Sequence, residues 1–158
     1  MSNQTFADIL TPYDATIKAP IESVWKCISD FGGWTKWTSS FQDMKIEGDG
    51  VDQIGSVRKF QSTQTKAVYE EEELEKDNSN HVLKFGLVSS TPGLPFIEKQ
   101  VVSATLESVG DNETIVHYLV RITPRVQIPE EKIKGFQGIA IRTYDNMFAD
   151  LDNYLKAH

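Results

Sequence analysis

Residues 68–77 read VYEEEELEKD, four consecutive glutamates inside a segment that otherwise has the make-up of a strand. A β-strand sends successive side chains to opposite faces. If one face of this strand is buried, at least one of Glu70, Glu71, Glu72 and Glu73 points into the protein. The competing reading is a solvated or bulged edge, which would keep all four in water.

The preceding segment, GSVRKF at 55–60, supplies a partner strand, and QSTQTK at 61–66 supplies the connection. A tight turn centred between Gln64 and Thr65 sets Arg58 across from Glu71, Phe60 from Tyr69 and Ser62 from Ala67. Cross-strand partners share a face. One face then carries Arg58, Phe60, Tyr69, Glu71 and Glu73; the other carries Val57, Lys59, Gln61, Glu70, Glu72 and Leu74. The turn has no Asn-Gly or similar signal, so a slip of one residue, pairing Arg58 with Glu70 or Glu72, stays open. A carboxylate is tolerated inside a protein when a cation partners it, which is what Arg58 offers Glu71. Glu73 is expected to point inward near the open end of the strand, within reach of water.

Outward from this hairpin the chain continues as a meander. Candidate strands are 43–48, 56–63, 67–77, 81–88, 101–109 and 113–123, separated by GDG, DNSN, TPGLP and GDN turns. An earlier strand is expected at Tyr13–Lys18, with residues 1–11 as a loose arm. Pro20 then opens a helix in which Ile21, Val24, Trp25 and Ile28 fall on one face. FGGWTKW predicts a second short helix around Trp34 and Trp37. At the other end, Ile133, Phe136, Ala140, Tyr144, Met147, Leu151 and Tyr154 form an apolar stripe along a helix of about 20 residues, or about 30 Å. Seven antiparallel strands twist and curl. A long helix with one apolar stripe needs the concave face of such a sheet, and unfilled space between them is a pocket.

Composition narrows the function. The chain has 158 residues, enough for one domain, and a formal charge of −7. An acidic surface argues against nucleic acid or anionic membrane as a partner. No apolar run is long enough for membrane insertion, and one cysteine, Cys27, excludes an internal disulfide. A cytoplasmic protein is the expectation. His81, His117 and His158 lie far apart without metal-ligand spacing, and no GxSxG elbow is present. No metal and no cofactor are expected.

The order of elements resembles the SRPBCC superfamily, also called START-like or Bet v 1-like. The stretches that carry the likeness are APIESVWKCISDFGGWTKW, GSVRKF with VYEEEELEKDNSNHVLKF, and PGLPF with MFADLDNYL. The likeness covers nearly the whole chain and is best to the polyketide cyclase/dehydrase branch. It implies an α+β helix-grip fold: a curved seven-stranded antiparallel sheet around a long C-terminal helix, with two short helices between the first two strands. It also implies that Arg58 and Glu71 sit on the concave face as pocket residues. The function expected from it is binding of a small hydrophobic molecule, such as a lipid, polyketide or isoprenoid. The expected lining is Phe60, Tyr69, Phe85, Leu87, Phe96, Tyr144, Met147, Phe148 and Leu151, with Arg58 and Glu71 orienting a polar end. The alternative is a cyclase or dehydratase in which Glu71 is the general base and Arg58 stabilises an oxyanion. A third reading is a surface-mediated signalling module or chaperone cofactor.

Overall fold

The computed structural model describes residues 6–158. The elements run β1 (Ile9–Ile17), α1 (Ile21–Ser29), a single 3₁₀ turn (Trp34–Lys36), β2 (Phe41–Ile46), β3 (Val57–Ser62), β4 (Val68–Asp77), β5 (Val82–Thr91), β6 (Ile97–Ser108), β7 (Thr114–Pro124) and α2 (Glu130–Ala157). All seven strands form one antiparallel sheet in the order β1-β7-β6-β5-β4-β3-β2. This is the expected helix-grip architecture, with one of the two short helices reduced to a 3₁₀ turn.

Boundaries differ from expectation: β2 spans Phe41–Ile46 rather than 43–48, β5 runs on to Thr91, and β6 begins at Ile97 rather than 101. The first strand starts at Ile9, so residues 9–11 of the expected arm pair with β7, Ile9 opposite Ile122. Pro12 lies inside this strand; β1 is an edge, where a missing N–H breaks no ladder bond. Residues 1–5 of the arm lie outside the described residues. The closing helix has 28 residues rather than about 20, or about 42 Å.

The core gathers at one end of the curved sheet. Val24, Trp25 and Ile28 of α1 are buried there with Phe31, Trp34 and Trp37. Their sheet partners are Ile17, Leu83, Phe85, Ala104, Leu106 and Val116. Gly32 is needed where the chain turns after α1, since a Cβ at this position would lie 2.8 Å from Cγ1 of Ile46. The buried residues of α2 are Met147, Phe148 and Leu151, all in its second half. Asp150 fixes that half, accepting hydrogen bonds from Thr38 Oγ1 and the Ser39 N–H at 2.8 and 3.1 Å. The first half contains Gly135, around which a Cβ would meet nothing within 4 Å, and exposed Ile139 and Ile141. Phe136 stacks on Phe96 with ring centroids 5.1 Å apart.

On the outer face, His117 of β7 bridges its neighbours, with Asp14 of β1 and Glu107 of β6 each 2.8 Å from one ring nitrogen. Both carboxylates raise its pKa above 6.5. Two outcomes follow. Leu151→Ala is expected to cost about 2–5 kcal/mol in urea unfolding, whereas Ile139→Ala stays within about 0.5 kcal/mol. For His117→Gln, the raised folded pKa means that the native histidine's contribution is complete below about pH 6.5 and is lost as pH rises through the folded value. Being partly exposed, it amounts to tenths of a kcal/mol, so the Tm difference between wild type and variant should be largest near pH 5.5 and shrink toward pH 8.5.

Candidate functional site

The β3–β4 register is the unslipped one: Arg58 faces Glu71 and Phe60 faces Tyr69. Arg58 is 1% exposed, on the concave side. Its Nε and Nη2 donate to Glu71 Oε1 at 2.9 and 2.7 Å, and its Nη1 donates to the Phe31 carbonyl at 2.9 Å. The guanidinium carbon lies 4.1 Å from the ring centroid of Phe31, 4.2 Å from that of Trp34, 4.6 Å from that of Phe85 and 5.4 Å from that of Phe60. Aromatic faces carry partial negative charge, and a desolvated cation is attracted to each. Arg58 is thus a centre of packing, enclosed by rings.

Both Arg58 bonds end on Oε1 of Glu71, leaving Oε2 without that partner. Burial pushes the Glu71 carboxyl up while Arg58 pulls it back, and burial prevails. Around it stand Tyr69, Tyr118 and Tyr144, with Tyr118 and Tyr144 centroids 4.7 Å apart. Burial raises the pKa of both Tyr118 and Tyr144, and the Glu71 charge raises each further. Tyr13 differs, since its hydroxyl donates to Asp145 at 2.6 Å. Among the described residues, the sealed side-chain oxygens that lack a hydrogen-bond partner are those of Glu73 alone. Glu71 Oε2 and the three phenol oxygens are not among those sealed atoms.

The expected lining separates into two groups. Phe85, Met147 and Leu151 are sealed in the core, and Phe60 and Phe148 are nearly so; they form the base under the site. Tyr69, Leu87, Phe96 and Tyr144 are half-buried, and Phe96 stacks on Phe136 in the first half of α2. Tyr118 was absent from the expected set, although alternation in IVHYLV, with Val116 and Val120 buried on either side of it, marks it as inward.

Glu73 corrects an expectation. It is 0% exposed rather than open to water. The strand bulges between Glu73 and Glu75, so Leu74 is an extra residue opposite β5 and is left exposed. The bulge resets the alternation, and Lys76 opposite inward Leu83 turns to the Glu73 side. Its Nζ lies 3.0 Å from Glu73 Oε1 and 2.9 Å from Asp52 Oδ1.

Two surface grooves lie elsewhere. One of about 670 Å³ is bordered by Trp37, Thr38, Phe41, Asp150 and Tyr154. The other, of about 370 Å³, is bordered by Ser62, Gln64, Thr143 and Asn146. Neither includes any residue of the Arg58–Glu71 cluster, and their borders are mainly hydroxyl and amide groups. The chemistry that needs explaining, a buried carboxylate among phenols, lies at Glu71. The described residues contain no cluster of three potential ligands placed to hold a metal, and no helix long and apolar enough to cross a membrane.

A curved sheet gripping a helix, with a polar cluster on its concave wall, defines a START-like protein. Residues 12–153 match the family described as polyketide cyclase/dehydrase and lipid transport, and the chain belongs to it. Comparison with curated proteins found no match. Among solved structures, Ara h 8.0201 superposes with a TM-score of 0.77 at 15% identity, covering 96% of this chain and 100% of the other. A norcoclaurine synthase point mutant from Thalictrum flavum, in complex with a transition-state analogue, gives 0.71 at 13% identity, covering 98% and 99%. Ginseng major latex-like protein 151 from Panax ginseng gives 0.72 at 13%, covering 93% and 97%. Identities this low establish a common fold and nothing finer.

Removing Arg58 alone strands a buried carboxylate and unfills the space between four rings. Arg58→Ala is expected to cost about 3–5 kcal/mol in urea unfolding. Arg58→Met combined with Glu71→Leu should recover most of that loss, because an apolar pair of similar volume needs no charge compensation.

Proposed function

We propose that this protein binds a small, largely apolar molecule bearing a hydroxyl or carbonyl group, between the concave sheet and the first half of α2. The observation that supports the reading is the unequal use of the Glu71 carboxylate: both Arg58 bonds end on Oε1, while Oε2 is left without that partner, near Tyr118 and Tyr144. A hydroxyl of the ligand would donate to Oε2, and a tyrosine hydroxyl would donate to a ligand oxygen. Half-buried Leu87, Phe96 and Tyr144 would cover its apolar body. Arg58 would act through Glu71, holding the carboxylate in place rather than touching the ligand. Family membership agrees with a hydrophobic ligand, and transport or sensing are the roles that fit binding without turnover.

A second reading, a cyclase or dehydratase, draws on the raised pKa of Glu71, which brings a general base nearer to neutral pH. In that case the tyrosine hydroxyls would take the oxyanion role, since Arg58 is enclosed by rings.

Binding of 1-naphthol, followed by its fluorescence, tests the first reading against naphthalene as the analogue without a hydroxyl. Glu71→Gln and Tyr118→Phe should each weaken 1-naphthol by about 5–20-fold, one lost hydrogen bond, and leave naphthalene within about twofold. Equal affinity of both variants and wild type for 1-naphthol would remove the site from Glu71. Native mass spectrometry of the purified protein should show a co-purified small molecule that is lost in the same variants.

A further inference from the structure

The segment between β2 and β3, residues 47–56, lies over the strand that carries Glu73. Gly55 N–H donates to the Glu73 carbonyl, and Glu73 N–H donates to the Ser56 carbonyl, both at 2.8 Å. From the same segment, Asp52 Oδ2 accepts the Phe31 N–H at 3.1 Å. Phe31 is the residue whose carbonyl holds Arg58. The segment thus straps the turn after α1 to β4, and it does so over a carboxyl group sealed from solvent. The strap itself turns on Gly48, Gly50 and Gly55, with φ of 75°, 76° and 92°.

Charges around Glu73 do not balance. Lys76 of β4 is the cation beside it, and that ammonium is shared with Asp52. Neither Glu73 oxygen receives an aligned hydrogen bond, despite the 3.0 Å approach of Lys76. One pleat away on β4, Glu71 is committed to Arg58. From the turn after α1, Asp30 is paired with Lys36. From β5 the residue opposite is Phe85, which is uncharged, and Lys84 faces Glu75. Two carboxylates, Glu73 sealed and Asp52 half-buried, therefore compete for one half-buried ammonium, an arrangement that favours a proton on one of them.

We infer that residues 47–56 form a proton-gated strap, closed while Glu73 carries a proton and released when that proton leaves. With both groups ionised, a pair of like charges beside one Lys76 is relieved by lifting Asp52 into water. Asp52 then lets go of the Phe31 N–H, and Phe31 keeps only the bond from Arg58 at its carbonyl. Strap position would in this way be linked to the Arg58–Glu71 wall through a single backbone unit, Phe31.

The direction with pH is fixed by the shift of Glu73. In the closed form its pKa is raised from 4.5 to about 7, chiefly by burial and then by Asp52, while Asp52 is lowered. In the released form Glu73 returns to its solution value. The closed strap is therefore fully stabilised below about pH 4.5 and loses that advantage as pH rises to about 7, beyond which the loss is complete. Between pH 5.5 and 8.5 the released population should rise about 30-fold.

Amide hydrogen exchange in the full-length protein reads this directly. Corrected for intrinsic rates, protection at Phe31, Gly55 and Glu73 should fall about 30-fold from pH 5.5 to 8.5, while the β6–β7 ladder keeps its protection. A carboxyl ¹³C titration of wild type should place Glu73 near pH 7. Glu73→Gln should hold the strap closed at both pH values. If that variant fails to fold, Asp52→Asn provides the check: with the competing charge removed, the exchange transition moves to lower pH. Unchanged protection across the range, a Glu73 midpoint below pH 5, or a transition that survives Glu73→Gln or stays in place in Asp52→Asn would overturn the inference.

Discussion

A guanidinium held among four aromatic rings organises this molecule. Taking Arg58 out of water carries a penalty of several kcal/mol, which the surroundings must offset. They do so in three ways: two bonds to Glu71, one to the Phe31 carbonyl, and the faces of Phe31, Trp34, Phe60 and Phe85. Each contribution comes from a different part of the chain. Glu71 fixes the β3–β4 register, because a slip would turn the carboxylate outward. Phe31 and Trp34 fix where the chain goes after α1. Phe85 ties β5 to the same point. Register, helix placement and core packing are thus coupled through one charge.

Glu71 and Glu73 sit two residues apart on the same face of one strand, and their fates differ because their cations differ. Arg58 offers a fork whose two N–H groups meet one carboxylate oxygen with good alignment. Lys76 offers a point charge, already engaged by Asp52, that approaches Glu73 without alignment. The first carboxylate keeps one oxygen outside the Arg58 pair, and the second shares its cation with Asp52. The difference is one of local geometry, since sequence alone shows only two glutamates on alternate positions.

Much of the fold was legible because it rests on periodicity. Alternation defined the strands, a 3–4 stripe defined α2, and symmetry about the Gln64–Thr65 turn gave the Arg58–Glu71 pair. What alternation cannot show is where it breaks. The bulge at Leu74 reverses the parity of Lys76 and brings its ammonium beside Glu73, where strict alternation would turn it to the outer face. The start of β1 was hidden by Pro12, which argues against a strand unless the strand is known to be an edge. Tyr118 was legible in its flanking valines, but its part in the cluster depends on β7 lying next to β1 rather than β2, which no local pattern contains.

The uneven burial of α2 makes it a cantilever. Its anchored half is clamped by Met147, Phe148, Leu151 and Asp150, while the free half, weakened by Gly135 and Gly138, rests on the rim through Phe136 and Phe96. A beam fixed at one end can flex at the other without disturbing its support. Exchange of a guest beneath the free half would then require breaking one aromatic stack and a few rim contacts, rather than loosening the core, so residence time and thermal stability could evolve independently.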